Sequence, residues 1–254
     1  MALIELNIYS ESLRMQTEVL IVMPQKSNDG EIGINAKSAH DKCKVLYLLH
    51  GLSDDNTIWM RRTSIERYAS ELGVAVVMPN ASRSFYTDMH YGGKFYTYVA
   101  KELPRIIEGM FNISDKREDK FIAGLSMGGY GALKIGIREC DSFSHCAGLS
   151  SVADLKSSIP TFRADLINIF GEDISIGEED DLFSLYENNK ANPNKPRVFM
   201  GVGVNDPLYP GNKRLSELIS DSGYDFTYRE SAGTHSWAFW DEYIQHVLKW
   251  IFNK

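Results

Sequence analysis

Cysteine is scarce and unpatterned in this sequence. Cys43, Cys140 and Cys146 are odd in number and form no C-x-x-C pair. A disulfide framework and a thiolate metal site are therefore not expected, and a reduced, cytoplasmic setting fits best. Cys140 and Cys146 read as small packing hydrophobes. No apolar run approaches the roughly 18 residues needed to span a bilayer, which argues against a membrane partner. The opening stretch MALIELNIYSESLRMQ lacks the basic start and apolar core of a secretory signal. Positive charge is also in deficit: 27 Lys and Arg stand against 34 Asp and Glu, giving a net charge of -7 and a pI near 5.4. Such a balance argues against a nucleic-acid partner. There is no internal repeat, no low-complexity tract and no long linker. What remains is 43% apolar and 24% charged, an ordinary globular composition. The 254 residues suffice for one large α/β domain or two small ones.

Strand-like runs recur at 15–24, 44–51, 74–79, 120–125, 145–151, 197–204 and 225–231. The run KVLYLLHG is continuously apolar, as expected of a strand buried on both faces. Helical spacing fills 64–73, 96–111 (with a kink expected at Pro104), 128–139, 212–223 and 237–252. Strand and helix alternate from about residue 44 onward, which predicts a mainly parallel central sheet with helices on both faces. The stretch 152–196 breaks this rhythm. It contains FGEDISIGEEDDLFSLYENN, acidic and without a strong strand. We read it as a small cap inserted between two core strands of a single domain covering 1–254, the alternative being a long surface excursion. Glu178, Glu179, Asp180 and Asp181 within it read as a solvated face.

One short stretch is glycine-rich where glycine is costly. In FIAGLSMGGYGALK, Gly124, Gly128, Gly129 and Gly131 crowd around Ser126 at the junction of a strand pattern and a helix pattern. Gly124, Ser126 and Gly128 give the spacing G-x-S-x-G, which a chain of this length shows by chance about one time in ten. The strand before it and the helix after it supply the context of a nucleophile elbow, where both flanking positions must be small. A serine hydroxyl needs a base to act as a nucleophile, and a histidine oriented by a carboxylate is the usual one. In sheets of this kind the chain order is serine, acid, histidine. His235 lies in SAGTHSW between the last strand and the last helix, at the carboxyl edge where reactive groups gather. His246 falls inside the last helix and reads as a surface or packing residue. Asp206 in GVGVNDPLYP follows the preceding strand and is the candidate acid. Asp221 and Asp225, in a helix and at a strand start, read as solvated. The developing oxyanion needs two donors. The backbone N–H groups of Met127, after the nucleophile, and of Leu52, in the loop HGLSDDNTIW, are the candidates. His50 reads as structural. Nothing in this chemistry calls for a metal or a cofactor.

Taken together and in order, LLHGLSDDNTIW, MPNASRSFYTD, KELPRII, GLSMGGYGALK, NDPLY and GTHSWAFW resemble the esterase D group of the α/β-hydrolases. The likeness runs from about Glu5 to Phe252 and is weakest in 152–196. The sequence looks most similar to the small tributyrin, feruloyl and acetyl esterases; S-formylglutathione hydrolases and mycolyltransferases are more distant. The resemblance implies an α/β-hydrolase fold and a serine carboxylesterase acting on short acyl or aryl esters through Ser126, His235 and Asp206. It also implies that the segment containing Tyr86 lies near the site. Tyr86 and Trp59 are thus candidates for binding substrate. The competing reading is a loop anchor for Tyr86, and core packing for Trp59, Trp237 and Trp240.

The expected partner is a small-molecule ester, with self-association of copies left open. Two other functions stand beside the carboxylesterase: a thioesterase or acyltransferase on the same residues, as in S-formylglutathione hydrolases, and a hydrolase-fold protein that binds without catalysis. The matched order of Ser126, Asp206 and His235 argues against the last, because a binding module needs no such set.

Overall fold

The computed structural model of the protein describes residues 1–25 and 42–252. Its strands are β1 (Ala2–Ser10), β2 (Met15–Met23), β3 (Val45–Leu49), β4 (Ala75–Pro79), β5 (Lys120–Leu125), β6 (His145–Leu149), β7 (Arg197–Gly203) and β8 (Phe226–Ser231). They form one sheet in the order β1-β2-β4-β3-β5-β6-β7-β8. Strands β3 to β8 run parallel, as the alternation of strand and helix predicts. β2 pairs antiparallel with both β1 and β4. β1 is an element the sequence reading did not anticipate. Leu3 and Tyr9 are half exposed on its outer side, so apolar residues occupy both faces of an edge strand and blur the alternation that would mark it.

The helices are α1 (Ile58–Arg62), α2 (Ile65–Leu72), α3 (Phe95–Thr97), α4 (Leu103–Met110), α5 (Met127–Arg138), α6 (Ile159–Phe170), α7 (Leu182–Asn188), α8 (Tyr209–Ser220) and α9 (Trp237–Phe252). The strand period of two divides the core between the faces. Leu46, Leu48 and Ala123 pack toward α1, α2 and α9. Tyr47, Leu49 and Ile122 pack toward α4, α5 and α8. No helix among the described residues is long and apolar enough to cross a membrane.

Two local expectations need correction. The helix expected over 96–111 is three pieces: α3, a π turn at Tyr98–Glu102, and α4 with Pro104 in its first turn. Proline has no N–H to bond four residues back, and a wider turn accommodates the loss instead of a simple kink. The stretch 152–196 holds two helices, α6 and α7, and only half of its acidic run is a solvated face: Glu178 and Glu179 are exposed. Asp180 and Asp181 are buried. Lys134 of α5 is fully buried, with its Nζ 2.9 Å from Asp180 Oδ1 and 2.6 Å from Thr87 Oγ1. Lys156 Nζ stands 2.7 Å from Asp181 Oδ2. A buried ammonium requires a counter-charge, and that requirement is invisible when the partners lie 46 residues apart.

Candidate active site

β5 lies near the middle of the sheet, between β3 and β6, and the residue that follows it is Ser126. Its backbone is at φ 54° and ψ −116°, a conformation that a non-glycine residue holds only when its surroundings fix it. The end of β6 fixes it from both sides. Ser126 N–H donates to Leu149 O at 2.8 Å, and Val152 N–H donates to Ser126 O at 3.2 Å. The flanking glycines answer to close approach. A Cβ on Gly124 would stand 2.3 Å from Gly128 O, and one on Gly128 would stand 2.5 Å from Leu49 O. Both distances are far inside van der Waals contact, so the turn tolerates no side chain at either position.

The loops after β7 and β8 bring Asp206 and His235 to Ser126. His235 Nε2 is 3.0 Å from Ser126 Oγ, and Nδ1 is 2.9 Å from Asp206 Oδ2. Asp206 is buried, and its Oδ1 accepts the Leu208 N–H at 2.8 Å. Burial disfavours its charge. The hydrogen bonds from His235 and the Leu208 N–H outweigh that cost and hold the carboxyl below its ordinary range. An ionised Asp206 only accepts, so Nδ1 carries the imidazole proton and Nε2 turns its lone pair toward the serine hydroxyl. The competing residues lie elsewhere: His246 of α9 sits beside Glu242 of the same helix and Arg229 of β8, and Asp225 pairs with Arg197 at 2.6 Å.

Met127 directly follows Ser126, and Leu52 lines the same cavity as the serine. Among the described residues neither backbone N–H has an acceptor outside its own element. His50 braces the Leu52 loop. Its Nε2 accepts the Ala81 N–H at 2.9 Å, and its Nδ1 lies 2.7 Å from Gly51 O. Burial pushes its pKa down, which suits a neutral ring holding two backbone groups.

Tyr86 does not line the site. It is fully buried, its hydroxyl donates to His50 O at 2.9 Å, and a Cβ on Gly131 would touch its ring at 2.4 Å. It therefore pins the Leu52 loop from beneath. Trp59 is also core: it is 1% exposed, with Nε1 donating to Leu49 O at 3.1 Å. The tryptophans that do face the open space are Trp237, which meets Trp59 edge to face, and Trp240. A sequence displays the aromatic bulk but not which member of a stacked pair is outermost.

Above Ser126 and His235 lies a cavity of about 630 Å³. Leu52, Phe162, Leu208, Trp237 and Trp240 make its apolar wall. Its charged groups are Asp54 and the ion-paired Asp154 and Arg214. Neither Phe162, from α6, nor Arg214, from α8, was singled out in the sequence. The cavity thus offers a poised hydroxyl, a base and free amide donors beside an apolar wall, a set suited to acyl transfer.

Comparison with known proteins accords with this geometry. The family model described as "Putative esterase" matches residues 10–251. An acetyl esterase of Caldicellulosiruptor saccharolyticus is 31% identical over 264 residues, covering 99% of this chain and 98% of that protein. Among solved structures, FphF, a fluorophosphonate-binding serine hydrolase of Staphylococcus aureus, superposes with a TM-score of 0.88 at 33% identity, covering 100% of this chain and 99% of that one. The S-formylglutathione hydrolase FrmB of Staphylococcus aureus gives a TM-score of 0.86 at 32% identity, with 99% of each chain covered. With the family model matching nearly its whole length, the chain belongs to this family of ester hydrolases.

Proposed function

We propose that the protein is a serine carboxylesterase for short-chain acyl or aryl esters, working through a covalent acyl-enzyme. The observation that carries this reading is the unbroken series of contacts from Asp206 through His235 to Ser126 at the floor of an open cavity. Ser126 Oγ attacks the ester carbonyl as its proton passes to His235 Nε2. The Leu52 and Met127 N–H groups receive the oxyanion. His235 then gives its proton to the departing alcohol, leaving the acyl group on Ser126. Water, deprotonated by His235, releases the acid and restores the serine.

The segment 152–196 acts in this reading as the cap of a single domain, since its α6 contributes Phe162 to the cavity wall. The free, buried cysteines suit a cytoplasmic setting. Acetyl to butyryl groups fit the apolar wall. Each further CH₂ that finds apolar cover gains about 0.8 kcal/mol, and the gain stops when the wall ends. The relative FrmB makes glutathione thioesters the second reading, because the same residues would cleave them.

The test is kcat/KM on acetyl, butyryl, octanoyl and palmitoyl nitrophenyl esters, methyl ferulate and S-formylglutathione, with Ser126→Ala as control. We expect a maximum at acetyl to butyryl, and a loss of about 10⁶ in kcat for Ser126→Ala. A steady rise to palmitoyl would contradict the short-chain reading, and a thioester far ahead of the esters would replace it with the second.

A further inference from the structure

The loop between β4 and α3 carries three non-glycine residues in the left-handed region: Ser82 at φ 50°, Phe85 at φ 49° and Tyr86 at φ 51°. Such backbone persists only where its surroundings fix it. Ser82 N–H donates to Asn80 Oδ1 at 3.0 Å, Tyr86 N–H donates to Ser84 Oγ at 3.0 Å, and Lys134 Nζ donates to Phe85 O at 3.3 Å. The loop so fixed holds the one that follows β3, where three successive carbonyls are engaged. The Tyr86 hydroxyl donates to His50 O at 2.9 Å. Gly51 O lies 2.7 Å from His50 Nδ1, which carries the ring proton because Nε2 accepts the Ala81 N–H at 2.9 Å. Arg83 Nη1 donates to Leu52 O at 3.4 Å. Gly51 O and Leu52 N–H belong to one planar trans peptide and point opposite ways. Holding the first therefore aims the second, and the anchored carbonyls of His50 and Leu52 bracket it.

Arg83 differs from the other anchors in reaching a third element. Its Nε and Nη2 donate to the two carboxylate oxygens of Asp165 on α6, at 2.7 and 2.8 Å. That is the two-pronged contact a guanidinium offers and an ammonium cannot. α6 rests on the same loop at further points. Phe162 meets Phe85 with ring centroids 5.4 Å apart, and the His90 and Tyr91 N–H groups donate to Ile169 O and Asn168 O at 2.8 and 2.9 Å. Neither Arg83 nor Asp165 is among the described residues that line the cavity, whereas Thr161 and Phe162 of the same helix are.

Resting on the esterase reading, we propose that Arg83 is a positioning residue for the oxyanion hole: its guanidinium clamps Leu52 O to Asp165, so that the Leu52 N–H and the cap helix α6 keep one fixed relation. An oxyanion donor is effective only within hydrogen-bond distance of the oxygen that becomes charged. Leu52 lies between β3 and α1, outside both elements, so no ladder or helical turn supplies that precision. The Arg83–Asp165 pair is half exposed on the arginine side, and an ion pair so placed contributes little to stability by itself. Its consequence falls on the loop that it holds.

The experiment compares Arg83→Lys, Arg83→Met and Asp165→Asn with the parent. It measures kcat and KM on nitrophenyl butyrate, the Ki of an alkyl trifluoromethyl ketone, and thermal melts. Ser126 Oγ adds to the ketone carbon, the serine proton passes to His235, and the carbonyl oxygen becomes an oxyanion in the hole, so Ki reads the hole without a leaving group. We expect Arg83→Lys and Arg83→Met to lose about tenfold in kcat and to raise Ki about tenfold, with KM within about twofold of the parent. Lysine keeps the charge facing Asp165 but has no fork, so it should fall with methionine and not with the parent. Asp165→Asn, which leaves the contact to Leu52 O and loosens its other end, should move kcat and Ki in the same directions by less. Melts should stay within about 4 °C of the parent. A folded Arg83→Met with kcat and Ki within twofold of the parent overturns the proposal, as does a loss in kcat with Ki unmoved. Where Arg83→Met fails to fold, Arg83→Lys decides: parent values for it overturn the clamp. If Ser126→Ala is inactive in any of these cases, the esterase reading survives. Hydrolysis by Ser126→Ala at the parent rate would instead overturn both.

Discussion

Asp206 carries its charge inside the protein, and that has consequences for rate and for stability. Replacing it with Asn keeps the shape but lets Nδ1 of His235 accept instead of donate, turning the wrong nitrogen toward Ser126. The loss in kcat should be about 10⁴, the size found for this change in the serine protease template; a variant keeping more than about a tenth of its rate would move the acid role elsewhere. The stability effect depends on pH. The folded-state pKa of Asp206 is depressed, so its contribution is complete above the ordinary carboxylate range and is lost as pH falls through the folded value. The gap in melting temperature between parent and Asp206→Asn should therefore be widest near neutrality and narrow toward pH 3. At this scale the sequence was informative where order and turn chemistry coincide: Ser126 between strand and helix, Asp206 in an Asn-Pro turn, His235 before the last helix. It was uninformative where a role depends on which side of a layer a ring faces. Tyr86 and Trp59 lie one layer beneath the cavity that Trp237 and Trp240 line.

Elements are joined here by a few buried polar contacts as well as by apolar packing. The segment between α6 and α7 is fastened to α5 by Lys134 Nζ on Asp180 Oδ1 and by the Tyr130 hydroxyl, which donates to Asp180 O at 2.6 Å. Burial pushes the Lys134 ammonium pKa down, and Asp180 opposes that shift. Removing Lys134 leaves the buried Asp180 carboxylate only the more distant Arg138 guanidinium, 3.8 Å away, at a cost approaching the roughly 3–5 kcal/mol of a broken buried pair. Lys134→Met should accordingly lower Tm by roughly 6–20 °C. The double variant Lys134→Met with Asp180→Leu should recover most of that loss, because a matched apolar pair replaces the ion pair with little net change. A single variant that melts with the parent would contradict the anchoring role. The parallel strands were legible as continuous apolar runs, since both of their faces are covered. The two helices within 152–196 were not, because Arg163 and Asp165 interrupt the apolar residues of α6, and α7 is short and packs on α5 and α8 behind the buried Asp180 and Asp181.

For the whole molecule, the order of strands places every participating loop at one edge of the sheet. Leu52, Ser126, Asp206 and His235 follow β3, β5, β7 and β8, all parallel. The alternation of strand and helix from residue 44 foretold this arrangement, whereas the antiparallel β1 and β2 were only half visible and bear no part of the site. If the account is right, one hydroxyl among all the serines of the chain is activated. Intact-mass spectrometry after treatment with a fluorophosphonate, followed by peptide mapping, tests that most directly. The account predicts one phosphonyl group per chain, carried on Ser126, with labelling slowed strongly in His235→Ala because the hydroxyl has lost its base. Labelling of another residue, or of Ser126 at the same rate without His235, would contradict it.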